Sequence, residues 1–262
     1  MTRKPRAPRA AVLLALAAAA LGGACTNVTG DASHVAAIEF DSLPFPAVVT
    51  GDTLRDSLGR AAPLRAVALN TAGGVIPDPE VRYIALDTGI TISPSGLVTA
   101  QARGGQVRII ASSGALQSIS KTLVVARAPD SVRASGATRF TVEYTGVAPV
   151  ASEALAVRLA TRDTVGGVTG TQGWLVSFQA FFRGAAIAPT DTSLAVLLGD
   201  GTQRSRVDTT GTDGTASRRV SVRPLGLTQS LTDSIIVLAT VRYRGAQVRG
   251  SPVRFVILVR PK

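Results

Sequence analysis

Short apolar segments, separated by turn residues about every ten positions, most constrain what this chain can fold into. After the first 25 residues no long segment shows a helical period. Segments of this length, rich in Val and Thr and bounded by Gly, Pro, Asn and Ser, are typical of strands in sandwiches and barrels. The chain has a single cysteine, so no intramolecular disulfide can link its strands. We therefore predict an all-β fold whose stability rests on packing.

The length favours two domains. A short Arg-Ala-Pro-Asp stretch at residues 127–130 marks the boundary, because proline stiffens a linker. We predict one β-sandwich domain over residues 35–127 and a second over residues 130–262.

In the second domain, two long strands are predicted at residues 234–244 and 253–260. Alternate residues of a strand share one face, which assigns two apolar rows to the core: Val237, Ala239, Val241 and Tyr243, and Val253, Phe255, Ile257 and Val259. Trp174 and Phe178 also share a face, and we expect them to fill this core.

The first 24 residues have the pattern of a helical secretory signal peptide. Basic residues precede an apolar stretch over residues 10–21, and small residues follow it. The stretch is shorter than the roughly 20 residues that span a bilayer. Gly22 and Ala24 satisfy the small-x-small rule of ordinary signal peptidase, which would cleave before Cys25. The polar residues 25–34 then form a tether to the first domain.

The residues around this cleavage point, Leu21-Gly22-Gly23-Ala24-Cys25, resemble the lipobox of bacterial lipoproteins. In that family a leucine usually lies three residues before the cysteine, and here Gly22 holds that position. The resemblance implies a lipid attached to Cys25 and a membrane-anchored protein of the periplasm or cell surface. If Cys25 is not lipidated, cleavage at the same bond gives a secreted protein.

Five segments of the first half form a recognisable series. They are Thr-Gly-Asp-Thr at 50–53, Asn-Thr-Ala-Gly-Gly at 70–74, Val-Arg-Tyr at 81–83, Ile-Ser-Pro-Ser-Gly-Leu-Val-Thr-Ala at 92–100, and Gly-Gln-Val-Arg-Ile-Ile-Ala at 105–111. Together they resemble the bacterial Ig-like group 2 family over residues 35–125. Tyr83 stands near a position where the family often has tryptophan, and an irregular piece at residues 54–63 precedes the second strand. The resemblance implies a small β-sandwich of the kind found in surface and adhesion proteins, and it implies no catalytic residues.

In the second half, residues 209–222 are similar to the Thr-x-x-x-Gly-x-Ala edge of bacterial Ig-like group 1 and invasin-type domains. This resemblance implies a second Ig-like sandwich.

Outside the predicted signal peptide, which carries four basic residues, the net positive charge is confined to the second half. Residues 25–129 hold 8 basic and 8 acidic residues, whereas residues 130–262 hold 16 basic and 9 acidic ones. An anionic neighbour, such as an envelope glycan or lipid headgroups, would complement this excess. The candidate anion-binding residues are Arg242 and Arg244 on one predicted strand and Arg254 and Arg260 on the next; the alternative is that they are only solvated side chains guarding sheet edges.

Catalytic, metal and cofactor sites are not expected. The only histidine, His34, precedes the first strand, and neither a Gly-x-Ser-x-Gly nor a His-Glu-x-x-His motif occurs. An exported chain without a nucleic-acid-binding motif is not expected to bind DNA or RNA.

We therefore expect a non-catalytic structural or adhesive module at the cell envelope, whose partners are the membrane through Cys25 and envelope glycans or other surface proteins. The alternative is a secreted carbohydrate- or polyanion-binding protein that acts through the arginine-rich second domain. A hydrolase with an unrecognised carboxylate site ranks last.

Overall fold

The computed structural model describes residues 34–101, 104–162, 165–199, 203–224, 227 and 232–262. These residues form 23 strands and no α-helix. Over this part of the chain, no helix is long and apolar enough to cross a membrane. The all-β prediction is confirmed, while the predicted signal peptide and Cys25 lie outside the described residues.

The N-terminal sandwich is formed by the strands before residue 127. Their bounds are β1 Ala37–Glu39, β2 Ala47–Val49, β3 Val67–Leu69, β4 Arg82–Ala85, β5 Ile90–Ile92, β6 Val98–Ala100, β7 Gly105–Ser113, β8 Leu116–Gln117 and β9 Lys121–Ala126.

The main sheet of the N-terminal sandwich has the order β2-β9-β7-β4, and β8 pairs with β7. β2 and β9 are the first and last strands of this sheet in chain order, and they run parallel to each other as neighbours. The two-stranded sheets β1-β3 and β5-β6 lie outside it. β5 and β6 form an antiparallel hairpin. In its turn the Gly96 N–H donates to the Ser93 carbonyl at 2.9 Å, and Gly96 has φ of 81°.

The C-terminal sandwich is formed by the remaining strands. Their bounds are β10 Ser131–Ala134, β11 Arg139–Tyr144, β12 Val150–Ala151, β13 Leu155–Arg162, β14 Val168–Gly170, β15 Leu175–Phe182, β16 Ala185–Ala186, β17 Ala195–Leu198, β18 Val207–Thr209, β19 Thr215–Val222, β20 Asp233–Thr240, β21 Arg242–Tyr243, β22 Ala246–Gln247 and β23 Val253–Pro261.

Two sheets face each other in the C-terminal sandwich. One runs β10-β13-β19 with β17 on β19, and the other runs β11-β23-β20-β15. With β10-β13-β19-β17 as strands A-B-E-D and β23-β20-β15 as strands G-F-C, these orders are those of an immunoglobulin sandwich. β11 is an additional strand that runs parallel to β23. The prediction of two tandem Ig-like sandwiches is confirmed.

The cores follow the alternation of the sequence. Both rows predicted for the C-terminal strands are buried from Val237 to Val241 and from Val253 to Val259, and Trp174 and Phe178 are buried with them. Phe255 and Ile257 are fully buried, whereas Leu258 on the opposite face is exposed. Packing, without any disulfide, therefore accounts for the order in this part of the chain.

The strand predicted over residues 234–244 is wrong at its end. β20 stops at Thr240, and the short hairpin β21-β22 follows. Arg244 and Gly245 both have positive φ, at 49° and 80°. Two such residues in succession make the tight turn that joins hairpin strands. Arg242 and Tyr243 therefore pair with Gln247 and Ala246 across this turn and do not continue β20.

Candidate functional site at the junction of the two sandwiches

The carboxylate of Asp52 joins the two sandwiches. It lies just after β2, and its side chain is only 9% exposed. From its own sandwich it accepts hydrogen bonds from the Thr53 N–H at 2.8 Å and from Arg55 Nε and Nη2 at 3.1 and 3.0 Å. From the C-terminal sandwich it accepts hydrogen bonds from Tyr243 Oη at 3.2 Å and Arg244 Nε at 2.9 Å.

These donors keep Asp52 ionised. Burial raises the pKa of the Asp52 carboxyl, but the hydrogen bonds from Arg55, Arg244 and the Thr53 N–H outweigh burial and hold that pKa well below its ordinary value. Burial, followed by the negative charge of Asp52, raises the pKa of the Tyr243 hydroxyl. The cluster therefore contains one fixed negative charge between two arginines, with a neutral phenol beside it.

An aromatic group packs beside the carboxylate. The buried Trp174 of the C-terminal sandwich has its ring 5.1 Å from that of Phe45 in the N-terminal sandwich and 5.8 Å from that of Tyr243, both in edge-on arrangements. Its indole N–H donates to the Arg242 carbonyl at 3.1 Å. Edge-on aromatic pairs with a satisfied indole N–H are typical of fixed, desolvated contacts.

The irregular piece at residues 54–63 reaches across the junction. Leu54 anchors it by being fully buried, and Arg55 Nη1 donates to the Gly59 carbonyl at 3.0 Å. A Cβ on Gly59 would lie 2.2 Å from the Gly245 nitrogen and 2.4 Å from the Arg244 carbonyl carbon. Gly59 therefore permits a backbone-to-backbone approach that no other residue type would allow.

The space left in the junction is small. A cavity of about 30 Å³ lies among Phe45, Asp52, Trp174 and Arg244. Pockets for organic ligands occupy roughly 300–1,000 Å³, whereas a water needs about one probe sphere. The geometry fits a fixed joint with room for water, and it does not fit a pocket for a substrate.

The four predicted arginines are not brought together. Arg244 pairs with Asp52, and Arg260 pairs with Glu143 at 2.5 Å. Arg242 donates to the Gly245 carbonyl at 3.0 Å, and Arg254 is exposed on β23. Arg254 and Arg260 share a face of β23, but their six-residue separation corresponds to about 20 Å.

The residues of the junction were not identified as a site from the sequence. In the sequence, Asp52 is only part of the Thr-Gly-Asp-Thr segment, and Arg244 is predicted only as a candidate anion-binding residue. The one available signal was the insertion at residues 54–63, whose turn residues Asp56, Ser57 and Gly59 mark a projecting loop. Elsewhere in the described residues, no group of three His, Cys, Asp or Glu side chains could hold a metal ion.

No family model matches the chain, and no curated protein matches it. Among solved structures it is similar to the Yersinia pseudotuberculosis adhesin InvE, with 15% identity and a TM-score of 0.32, over 82% of this chain and 56% of that one.

Two further solved structures give similar values. The S-layer protein rSbsC has 12% identity and a TM-score of 0.29, over 88% of this chain and 28% of that one. The Escherichia coli adhesin FdeC has 13% identity and a TM-score of 0.29, over 84% of this chain and 63% of that one. The chain thus spans less than two thirds of all three structures, and likenesses this distant assign no function.

Proposed function

We propose that this chain is a non-catalytic extracytoplasmic module, structural or adhesive, whose two Ig-like sandwiches act as one stiff unit at the cell envelope. The observation that supports the proposal is the junction. A buried carboxylate, an aromatic group and a close backbone approach join the sandwiches. A spacer or adhesive stalk benefits from such a joint because a fixed angle holds a distal surface away from its anchor.

The proposal includes export and anchoring through Cys25, with residues 1–24 as signal peptide and 25–34 as tether. It also assigns residues 35–127 to the bacterial Ig-like group 2 type and residues 130–262 to an invasin-type sandwich. The support for these assignments is the sequence pattern alone.

Anchoring is tested by the intact mass of the protein extracted from membranes of a bacterial host, beside a Cys25→Ser variant. We expect a mass increase that matches a diacylglyceryl group on Cys25, lost in the variant together with membrane association. An unmodified protein in the soluble extracytoplasmic fraction would contradict the anchor.

Stiffness is tested by small-angle X-ray scattering on the exported Cys25→Ser chain. We expect a scattering profile that is fitted by a single conformation of the two sandwiches. A profile that requires an ensemble of interdomain angles would contradict the proposal of a stiff unit.

A carbohydrate- or polyanion-binding role is a second proposal. It is favoured by the surplus of seven basic residues in residues 130–262, where 16 basic residues face 9 acidic ones. Arg242 and Arg244, two of the candidate anion-binding residues, are tested by the Arg242→Ser/Arg244→Ser double variant. The expected result is a loss of binding to an anionic glycan.

A further inference from the structure

Two arginines face each other on the outer surface of the C-terminal sandwich. Strands β10 and β13 are antiparallel, and Arg133 lies directly opposite Arg158. Their neighbours Val132, Val157 and Leu159 are buried, so alternation directs both arginines to the outer face. Directly opposite residues have Cβ atoms about 5 Å apart.

A third arginine joins the pair. Ser131 forms a parallel bridge with Arg249, and the Val132 N–H donates to the Arg249 carbonyl at 2.9 Å. Bridged residues lie on the same face of a sheet, so Arg249 is a diagonal neighbour of Arg133, within reach of a long side chain. Arg133, Arg158 and Arg249, hereafter the arginine triad, come from segments up to 116 positions apart in the sequence.

No carboxylate in the described residues forms an ion pair with the arginine triad. The contact of Arg158 is with the backbone carbonyl of Asp213, at 3.2 Å from Nε. The Asp213 carboxylate accepts the Thr215 N–H, and its pKa is lowered first by the Thr215 hydrogen bonds and least by the charge of Arg158. The Asp130 carboxylate accepts the Arg162 N–H and the Thr161 hydroxyl. Like charges at opposite positions destabilise a sheet, so a bound anion would relieve the repulsion within the triad.

The surface around the triad is flat and made of short side chains. Ser131 is paired with Ala160, and the next position of the same face on β13 is Ala156, which is paired with Ser217. Short side chains leave the guanidinium groups accessible along the face. Directly beside the triad they offer no bulky apolar group to insert into a bilayer, and the exposed Val168 of this face lies opposite Arg162, four residues along β13 from Arg158. This favours an extended soluble polymer over a lipid surface.

We propose that the arginine triad binds sulfate or phosphate groups of an anionic polysaccharide. Guanidinium groups form bidentate contacts with such oxyanions. This inference deepens the second proposal above by naming a different surface for it, and it does not depend on the stiff-module proposal.

The test uses the exported chain with Cys25→Ser, because a lipid on Cys25 would itself bind vesicles. Binding to labelled heparin is measured by fluorescence anisotropy at several salt concentrations. The test variant is Arg133→Ser/Arg158→Ser. The control variant Arg65→Ser/Arg139→Ser removes the same charge from two exposed arginines outside both candidate anion-binding sets, and unfolding midpoints in urea establish that each variant is folded.

We expect the test variant to bind heparin at least about tenfold more weakly, since each charge-assisted contact contributes on the order of one such factor. The control should change affinity by less than about twofold, and a folded Arg133→Lys/Arg158→Lys variant should fall between them because it keeps charge but loses the bidentate geometry. Salt dependence should weaken in the test variant.

Four results would overturn the inference. Equal losses in test and control would show non-specific charge attraction, and absence of binding at low salt would also end the second proposal. If heparin binding is lost only in the Arg242→Ser/Arg244→Ser variant, the arginine triad is not the binding site, although the second proposal stands. Tighter binding to phosphatidylglycerol vesicles than to heparin, with the same dependence on Arg133 and Arg158, would assign the site to lipid headgroups.

Discussion

Replacement of Asp52 by alanine should loosen the junction more than its single position suggests. The carboxylate accepts five hydrogen bonds, two of them from the C-terminal sandwich. Loss of one partner of a fully buried ion pair costs about 3–5 kcal/mol. Here Arg244 is 55% exposed and Arg55 29% exposed, so both can turn to water. We therefore expect a loss of about 2 kcal/mol in the free energy of unfolding.

Trp174 makes the measurement local. It is the only tryptophan of the chain, and it is buried against Phe45 and Tyr243 in the junction. Urea unfolding followed by its fluorescence therefore reports on the junction as well as on the C-terminal core. The Asp52→Ala variant should show a lower midpoint and red-shifted emission already in the absence of urea.

Asp87→Ala is the matched control. Asp87 accepts hydrogen bonds from Arg108 Nε and Nη2 at 2.9 Å each and from the Arg108 N–H at 2.9 Å, a geometry close to that of Asp52 with Arg55. Its pKa is lowered to about 2 by these bonds, yet the pair lies at the solvent-exposed surface of one sandwich. Exposed pairs contribute little, so the midpoint should hardly move. Equal effects of Asp52→Ala and Asp87→Ala would refute the assignment of Asp52 as an interdomain joint.

Three further predictions concern the pH dependence at Asp52, the close approach at Gly59 and a separate ion pair between Asp208 and the buried Arg218. Because the folded-state pKa of Asp52 is depressed, the ionised carboxylate stabilises the folded protein above about pH 4, and this stabilisation is lost as the pH falls toward that lower pKa. The difference in unfolding free energy between wild type and Asp52→Asn, measured by urea unfolding between pH 7 and 3, should therefore narrow below about pH 4. A difference that stays constant over this range would contradict the prediction. Gly59→Ala should red-shift the emission of Trp174, because the new Cβ would collide with Arg244 and Gly245. Gly51 has a similar positive φ, but a Cβ there would meet no atom within 4 Å, so Gly51→Ala should lower stability without that shift. Matching emission spectra of the two variants would refute the close approach at Gly59. Asp208→Ala should lower the free energy of unfolding in urea by about 3 kcal/mol, because the buried Arg218 guanidinium pairs with Asp208 at 3.0 Å and would remain as an unpaired buried charge. Arg218→Met should lower it by less, because it removes that charge. A larger loss for Arg218→Met than for Asp208→Ala would contradict the prediction.

Local sequence patterns predicted the parts of the fold that depend on neighbours in sequence. The hairpin at Gly96 follows from a proline and a glycine at fixed turn positions, and the buried face of β23 follows from period-two alternation. The same alternation failed beyond Thr240, where the separate hairpin β21-β22, with positive φ at Arg244 and Gly245 in its turn, replaced the continued strand. Parity is informative only while the strand lasts, and Gly245 after Arg244 was the sign that it ended.

The junction was out of reach of such patterns. Asp52 and Tyr243 are 191 positions apart, and nothing near either residue indicates the other. A carboxylate beside an arginine three positions later is common on surfaces, where it contributes little. Only the approach of the second sandwich converts that local pair into a buried one.

The arginines of the second half show why composition alone cannot assign a surface. Arg244 and Arg260 are neutralised by Asp52 and Glu143, although the sequence placed both on candidate anion-binding strands. Arg133 and Arg158 lie 25 positions apart in unremarkable segments, yet strand register sets them opposite each other without a paired carboxylate in the described residues. Charge excess predicts that some basic surface exists. Which arginines form it depends on register and on the acids that register brings to them, and for this reason the triad, rather than the more evident C-terminal set, is the surface to test for an anionic polymer.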